Sequence, residues 1–342
     1  MSVDDEKLGN NALKIGDVTV GGRAFLAPMA GVTDIGMRRI ARRFGASLVV
    51  SEMVAADDFA RGDAESRLRA EGEGVDPHVV QIAGCDPRWM SEAARLAEAS
   101  GAAIVDINMG CPAKKVTGGL AGSALMREPD LALELVRATV AAVKIPVTLK
   151  MRLGWDHASL NAPELAARAQ AEGVAMVTVH GRTRQQFYKG RADWAAIRAV
   201  RERVTIPLVA NGDCASPQDA AEMLRQSGAD AAMIGRAAVG RPWLVGDVAH
   251  YLSHAVERPA LPAHVRLAAA LEHYETLLSA FGVAQGLRHA RKHLAAYVEY
   301  SCRLAGAPVD VEARLRIVTS DDPAAVRAML RDVFLSREAE AA

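Results

Sequence analysis

Cys111 is the residue of this sequence whose surroundings most suggest chemistry. It lies in the stretch DINMGCP, between Gly110 and Pro112 and shortly after the apolar run AAIV. The run is typical of a short buried strand, and the two flanking residues predict a sharp turn where that strand ends. Strand ends in α/β enzymes hold catalytic side chains, whereas a structural cysteine is a small buried residue. Both interpretations of Cys111 stay open until its neighbours in space are known.

Eight apolar runs of about four residues recur along the chain, and most end in polar, small or cationic residues. They lie at 24–27, 48–51, 79–82, 104–107, 147–150, 176–179, 208–210 and 231–234. Such runs are expected of strands buried on both faces of a parallel sheet. Helix starts lie between them, at Thr33-Asp34, Asp86-Pro87, Pro129-Asp130 and Ser216-Pro217. Eight strand–helix units predict an α/β fold, the closed (β/α)8 or TIM barrel; an open doubly wound sheet is the alternative, which the even spacing disfavours.

The regions outside the strand–helix units predict two additions to the barrel. The sequence VTVGGR at 18–23 predicts a hairpin around Gly21-Gly22 that closes the barrel floor. After about residue 242 the strands disappear, and helices are predicted at 264–281 and 285–303, after a linker at 258–262. The predicted domains are therefore a tail and hairpin at 1–23, the barrel at 24–248 and a helical domain at 250–335.

Composition and charge limit the class of protein. The 342 residues are half hydrophobic, with a formal net charge of zero, which gives no global sign of nucleic-acid binding. The four cysteines are far apart, so neither a metal site nor a disulfide framework is expected. No apolar run approaches the roughly 20 residues of a membrane helix, and the acidic N-terminus does not resemble a signal peptide. We therefore expect a cytoplasmic protein without a membrane partner and, since no repeat or heptad is present, a monomer.

Two features of the strand ends predict a bound anion. Strand seven is followed by Asn211-Gly212-Asp213 and strand eight by Gly235-Arg236, at the two loops where TIM barrels often bind phosphate. Lys150 ends the apolar strand five, where an unpaired charge is costly, so it needs an anion or a polar ligand. The alternatives are that the glycines serve only as turns and that Lys150 pairs with Glu52 or Asp106.

Several stretches together resemble a known family, the bacterial tRNA-dihydrouridine synthases of the DusB type. The matching stretches are APMAGVTD, VVQIAG, DINMGCPAKKV, LAGSAL, VTLKMRLGW, VHGRTR, VANGD and MIGRAAVGRPW, which cover roughly residues 24–245. RHARKH extends the likeness into the helical domain. The resemblance implies a barrel that binds FMN, a helical domain that binds tRNA, and NADPH as the reductant.

The resemblance also implies roles for individual residues. Cys111 takes the position of the catalytic acid, and Asn108 takes that of a contact to the target uracil. The implied FMN contacts are Pro28, Met29, Ala30, Gln81, Lys150, His180, Asn211, Gly212, Asp213, Gly235 and Arg236. The implied contacts to tRNA are Arg152 and Arg182. Lys114 is a further candidate because it lies beside the cysteine turn. Arg288, Arg291 and Lys292 share one helix face and are expected to meet phosphates, although such a face is ordinarily just solvated.

The chemistry of uridine reduction explains why a cysteine would stand at this turn. A flavin supplies a hydride to C6 of the pyrimidine, and an acid must then deliver a proton to C5. A thiol without special partners is mostly protonated at neutral pH and can donate. Two other functions remain possible from the residues: a flavin barrel acting on a free pyrimidine or enone, and an RNA-binding protein without catalysis.

Overall fold

The centre of the protein is a closed barrel of eight parallel strands, in which β10 pairs with β9 on one side and β3 on the other. The computed structural model describes residues 12–341, with side chains as far as residue 335. The strands are β1 Leu13–Ile15, β2 Val18–Val20, β3 Ala24–Leu26, β4 Leu48–Ala55, β5 Val79–Ala83, β6 Ile104–Met109, β7 Val147–Arg152, β8 Met176–His180, β9 Leu208–Asn211 and β10 Ala231–Ile234. All eight predicted barrel strands are confirmed, and the open sheet is excluded by the closure of β10 onto β3.

Helices cover the outside of the barrel and follow the predicted start signals. They are α1 Ile35–Arg43, α2 Ala56–Ala60, α3 Ala64–Ala70, α4 Pro87–Ala99, α5 Lys114–Thr117, α6 Pro129–Ala142, α7 Ala162–Ala171, α8 Arg198–Arg201, α9 Pro217–Ser227 and α10 Leu244–His254. Asp34, Asp86 and Ser216 cap α1, α4 and α9, and each side chain accepts a hydrogen bond from a backbone N–H of the first turn. The short helices α2 and α5 have no side-chain cap, and α3, although capped by Asp63, is too short to show a clear periodicity in the sequence.

The barrel floor is closed by an antiparallel hairpin of β1 and β2. Ile15 and Val20 are fully buried and pack with the apolar side chains inside the barrel. The hairpin is therefore confirmed, but its predicted turn is wrong: the chain reverses at Gly16-Asp17, and Gly21-Gly22 only joins β2 to β3. The prediction failed because a three-residue strand, β1, carries too little alternation to be recognised.

Three helices form the region beyond the barrel: α11 Ala263–Leu304, α12 Val311–Thr319 and α13 Pro323–Ala341. The path of α11 is broken at Gly282, whose φ of 73° and ψ of 163° are not helical. The two parts of α11 then lie side by side, since His273 of the first contacts Tyr297 of the second. This confirms the two predicted helices at 264–281 and 285–303.

The helical region has an apolar core of its own, in which Leu277, Leu294 and Leu330 are buried. The helix α10 crosses the predicted boundary at 248–250, so the domain limits stay a prediction. The predicted tail up to residue 11 lies outside the described residues. Within the described part of the chain, no helix is long and apolar enough to cross a membrane.

Candidate active site

The interior of the barrel changes from apolar to polar toward the carboxyl ends of the strands. Val79, Ile104 and Met176 lie in the apolar core inside the barrel near its floor. Because side chains alternate along a strand, the residues two and four positions further on face the same interior. These inward polar residues are Gln81, Asp106, Asn108, Thr148, Lys150, Thr178, His180 and Asn211. The predicted flavin and uracil contacts of five strands, β5 to β9, therefore meet at one mouth.

A chain of hydrogen bonds joins the inward residues of β5, β6 and β7. Gln81 Nε2 donates to Asp106 Oδ2 at 2.7 Å, and Gln81 Oε1 accepts from Asn108 Nδ2 at 2.7 Å. Thr148 Oγ1 donates to Asp106 Oδ1 at 2.6 Å. Burial raises the pKa of Asp106, and the bonds from Thr148 and Gln81 act in the opposite direction. The network fixes the orientation of both amides, since each has partners on two sides.

The same network holds the turn that carries Cys111. Asn108 Oδ1 accepts from the backbone N–H of Gly110 at 3.0 Å and of Cys111 at 2.9 Å. On the other side, the Cys111 carbonyl accepts from the Ser123 N–H at 3.0 Å and from its hydroxyl at 2.8 Å. The cysteine is half-buried. Its backbone is thus held at both ends.

Lys150 is a buried cation with a neutral partner. Its Nζ donates to Asn211 Oδ1 at 3.2 Å, and Asn211 Nδ2 donates in turn to the Met233 carbonyl at 2.8 Å. Burial, followed by the charge of Arg152, lowers the pKa of Lys150 to about 8. Glu52 lies 3.7 Å from Arg69 instead, and among the described residues no ion pair joins Lys150 to Glu52 or Asp106. The charge of Asp106 acts to raise the pKa of Lys150, but burial outweighs it.

His180 lies at the end of β8 among several cations. Burial, and then the positive charges of Lys150 and Arg152, hold the pKa of His180 well below its usual range. The ring is therefore neutral at physiological pH. One nitrogen, Nε2, lies 3.3 Å from NH1 of Arg182, a distance at which it can accept a hydrogen bond from this guanidinium.

The predicted phosphate corner is built around Asp213. Its carboxylate receives two hydrogen bonds from Arg182, at 3.0 and 2.5 Å, and one from Arg236 at 3.1 Å. Burial acts to raise the pKa of Asp213, but the hydrogen bonds from Arg182 and the Ala192 N–H outweigh it and lower the pKa. The Arg236 side chain remains 59% exposed. Asp213 therefore holds Arg236 in place while most of the arginine side chain stays exposed.

The loop after β3 forms another side of the mouth. Pro28 and Met29 are half-buried and Ala30 is exposed. Met29 exchanges hydrogen bonds with Thr33, and the N–H of Gly31 donates to Glu52 Oε2 at 2.7 Å. This loop carries the predicted flavin contacts Pro28, Met29 and Ala30. The bond from Gly31 to Glu52 ties it to β4.

Arg152 and Arg182, the two arginines that the resemblance implies for tRNA contact, are both buried. Each side chain is 1% exposed. Arg152 donates to the carbonyls of Gly110, Thr183 and Phe187, and Arg182 donates to Asp213 and to the carbonyls of Lys189 and Gly190. Both guanidinium groups are bonded within the chain, and their direct contact with tRNA stays a prediction. As placed, they hold the loop after β8.

The predicted cations of the second part of α11 are exposed. Arg288 and Lys292 lie at the surface, and Arg291 is 3.8 Å from Asp321 in a surface ion pair. Lys292 reaches the barrel, since a Cβ built on Gly31 would lie 3.3 Å from its Nζ. Lys114, on the other side of the mouth, is exposed as well. Lys114 and Lys292 therefore lie beside the mouth, while Arg288 and Arg291 lie on the surface of the helical region.

Comparisons with known proteins agree with this arrangement. A family model described as dihydrouridine synthase (Dus) matches residues 25–319. The chain belongs to the dihydrouridine synthase family. It is 55% identical over 314 residues to a probable tRNA-dihydrouridine synthase of Rhizobium leguminosarum bv. phaseoli, covering 92% of this chain and 95% of the relative. It is 47% identical to tRNA-dihydrouridine synthase B of Xanthomonas campestris pv. campestris, covering 94% and 96% of the two chains. The family is one of flavin-dependent oxidoreductases, and this chain is such an enzyme.

Solved structures with the same fold are more distant in sequence. Histamine dehydrogenase from Rhizobium sp. 4-9 superposes with a TM-score of 0.55 at 16% identity, over 73% of this chain and 48% of that one. An old yellow enzyme homologue from Zymomonas mobilis gives a TM-score of 0.51 at 16% identity, over 73% and 94% of the two chains. At this identity the likeness shows the barrel fold alone.

The mouth of this dihydrouridine synthase has the features that a flavin phosphate and ring need. A Cβ added at Gly235 would lie in ordinary van der Waals contact, 3.6 Å from Met29 Sδ and 3.7 Å from the Ala27 Cβ, so the backbone there lies against the loop after β3. Lys150 is buried, and an amide oxygen is its hydrogen-bond acceptor. Among the described residues, Thr178 Oγ1, opposite Lys150 in the strand pairing, is buried without a hydrogen-bond partner. Cationic and polar groups gathered at one mouth suit a ligand that is anionic and forms hydrogen bonds.

Some residues that build the site were not predicted. Asp106 and Thr148 orient Gln81, Ser123 holds Cys111, and the Trp194 indole donates to the Gly212 carbonyl at 2.7 Å. Asp106 had a usable signal, since a carboxylate two residues before Asn108 in an apolar strand must face the same interior. Ser123 and Trp194 had no usable signal in the sequence, because their contacts depend on loops whose paths cannot be read from it.

Gly212→Ala tests the corner directly. Gly212 has a φ of 122°, and a Cβ there would lie 2.7 Å from the Ala192 Cβ and 2.9 Å from the His180 ring. We expect a loss of about 1–3 kcal/mol in the free energy of unfolding, together with weaker flavin binding. Urea unfolding and flavin titration measure the two effects. Gly101→Ala is the matched control, because Gly101 also has a positive φ but would meet nothing within 4 Å. Equal losses in both variants would show that the contacts at Gly212 are unimportant.

Proposed function

We propose that the chain is a tRNA-dihydrouridine synthase of the DusB type, which reduces the C5–C6 bond of specific uridines in tRNA. The proposal takes FMN as its flavin, NADPH as the reductant and Cys111 as the proton donor. One observation carries it. A half-buried thiol stands at the barrel mouth, on a turn held by Asn108 and Ser123, beside a buried polar layer that contains Lys150 and His180.

The flavin contacts follow from the chemistry of the side chains. Lys150 would donate to the flavin ring, because it holds a buried charge with a neutral acceptor. Gln81 would offer the second N–H and lone pair that its network leaves unused. Arg236 and the backbone of Gly212, Asp213 and Gly235 would hold the phosphate. His180, being neutral, would take part as a hydrogen-bond group, and Asn211, Pro28, Met29 and Ala30 would complete the pocket. When bound, FMN supplies the hydride.

Cys111 would supply the proton. Saturating the C5–C6 bond requires one proton at C5, and general acids contribute most when they are held in place before reaction. The double anchoring of the cysteine backbone provides this positioning. Asn108 lies next to Cys111 and would contact the edge of the uracil. It would use the donor and acceptor sites of its amide that its own hydrogen bonds leave free.

The tRNA would be held by cations around the mouth. Lys114 lies beside the cysteine turn, and Arg288, Arg291 and Lys292 lie on the helical region. A uridine within a folded RNA must turn out of its stack to enter a barrel. Phosphate contacts on both sides of the mouth would stabilise that conformation and make binding salt-dependent. The enzyme is expected to act as a monomer in the cytoplasm.

The test is a flavin oxidation experiment under anaerobic conditions. Purified enzyme is reduced with NADPH, tRNA from cells that lack dihydrouridine is added, and the visible flavin band is followed. We expect the band to return with tRNA and not with free uridine, and the released cofactor to be FMN. A band that returns with free uracil or orotate instead would indicate a small-molecule reductase. A colourless protein that binds tRNA would indicate an RNA-binding protein without catalysis.

A further inference from the structure

A buried ionic cluster joins the barrel to the helical region, and neither the flavin nor the acid role uses it. It consists of Asp34, His273 and His293, whose exposed fractions are 7%, 1% and 2%. His273 Nε2 lies 3.1 Å from both carboxylate oxygens of Asp34. His293 Nε2 lies 3.4 Å from Oδ2 and makes no hydrogen bond to a described residue. The other nitrogen of His273 lies 3.1 Å from the Tyr297 hydroxyl. The cluster therefore ties α1 to both parts of α11.

On the barrel side, the cluster lies next to the loop after β3. This loop, the flavin loop, carries the predicted flavin contacts Pro28, Met29 and Ala30. Asp34 caps α1 through the Met37 N–H and follows Thr33, which hydrogen-bonds to Met29. The helical side leads to the predicted tRNA cations, because His293 is preceded by Lys292 in the same helix. Lys292 reaches back to Gly31 of the flavin loop. The two functional surfaces thus meet within a few residues of one ion cluster.

The electrostatics of the cluster favour a fixed arrangement. Burial acts to raise the pKa of Asp34, but His273, His293 and the Met37 N–H outweigh it and hold the pKa well below its usual range. Burial, and then His273, hold the pKa of His293 well below its usual range, so that this ring is neutral. A buried carboxylate of this kind is stable only while its partners remain in place. Separating α11 from α1 would leave the charge of Asp34 unpaired.

We propose that Asp34, His273 and His293 are positioning residues, which lock α11 onto the flavin loop and so set the tRNA-binding cations against the barrel mouth. This inference rests on the proposed function, since it concerns the same tRNA. It goes beyond that function because it names the residues that couple the barrel to the helical region. The ligand atoms of the three residues lie within 4.8 Å of one another, a spacing that a metal ion could also use. Hydrogen bonding is favoured, because His273 Nε2 faces both oxygens of Asp34 as an N–H donor would.

The test compares three variants with wild type. His273→Leu removes the partner of Asp34, and His273→Gln keeps a donor near the Nε2 position. Asp34→Asn keeps a helix cap and removes the charge, which provides a second variant if His273→Leu does not fold. His264→Leu is the control, because His264 is exposed on the same helix. Flavin content, flavin reduction by NADPH, tRNA affinity by filter binding and steady-state kinetics are measured for each.

For His273→Leu and Asp34→Asn we expect tRNA affinity to fall and the KM for tRNA to rise, each by roughly tenfold or more. Flavin content and its reduction by NADPH should stay at the wild-type level, and His273→Gln should recover most of the affinity. A merely structural role would instead lower flavin content and melting temperature without rescue by glutamine. Wild-type affinity in Asp34→Asn would overturn the inference.

Two further outcomes separate this inference from the proposed function. If wild type binds tRNA but tRNA does not oxidise its reduced flavin, the proposed function fails, and the affinities of the variants still decide the inference. Elemental analysis of the purified wild type addresses the metal alternative. One equivalent of metal per chain, absent from His273→Leu, would overturn the positioning role in favour of a metal site.

Discussion

Cys111→Ala is expected to lower the rate of tRNA reduction by roughly 10²–10⁴-fold, the usual contribution of a general acid. Flavin content and flavin reduction by NADPH should remain at the wild-type level. The reason is that the Cys111 contacts to Asn108 and Ser123 are made by its backbone, which alanine retains. The variant therefore removes a thiol without releasing the turn. Single-turnover oxidation of the reduced enzyme by tRNA measures the effect.

Two controls accompany this variant. Cys85→Ala removes an exposed thiol from another strand-end loop and should leave tRNA reduction unchanged. Cys111→Ser keeps a smaller and weaker acid, so an intermediate rate is expected. Loss of flavin from Cys111→Ala would contradict the acid role and support a structural one. A normal rate in the same variant would show that the proton comes from elsewhere.

Lys150→Met should have opposite effects on flavin binding and on stability. Losing a charge-assisted hydrogen bond is expected to weaken flavin binding by roughly 10–100-fold. The flavin-free chain, by contrast, should gain about 1–3 kcal/mol in its free energy of unfolding near pH 7. The gain arises because the folded chain holds a protonated lysine whose pKa is lowered to about 8, which disfavours folding.

The pH dependence distinguishes this explanation from better packing. The cost of the buried ammonium is fully present below pH 8 and disappears as pH rises from about 8 toward the ordinary value of the lysine pKa. The advantage of Lys150→Met over wild type should therefore shrink above pH 8. Urea unfolding of the flavin-free chains at several pH values measures it. Lys144→Met, at an exposed lysine before β7, is the control and should give no such trend. A constant advantage would contradict the electrostatic cause.

Cys111 and Lys150 are indicated by different features of the sequence. Cys111 is signalled by the breakers on either side of it. Lys150 is signalled by the apolar run that it ends. In both cases a residue type unusual for its local environment indicated a function, and the fold then placed the two side chains at one barrel mouth. Local environment was sufficient because each strand is short and its end is easily read.

The surroundings of the two arginines predicted to contact tRNA could not be read from the sequence. Arg152 and Arg182 follow strands in the same manner as Lys150, yet their long side chains turn to backbone carbonyls and to Asp213. An arginine has five donors, and a nearby loop can satisfy them all. Whether that loop comes close enough is a tertiary property. The sequence therefore indicates that a cation is present but not which acceptor it meets.

The sequence by itself determined the barrel, because eight evenly spaced apolar runs, with helix signals between several of them, leave little freedom of topology. It also determined the strand-end residues, since the two-residue period of a strand decides which side chains face inward. Only the tertiary structure decided how those residues are held. Asp34 reads as a helix cap, and its pairing with His273 and His293 spans more than 230 residues of chain. Contacts at that separation depend on the relative placement of whole elements, which no local pattern encodes.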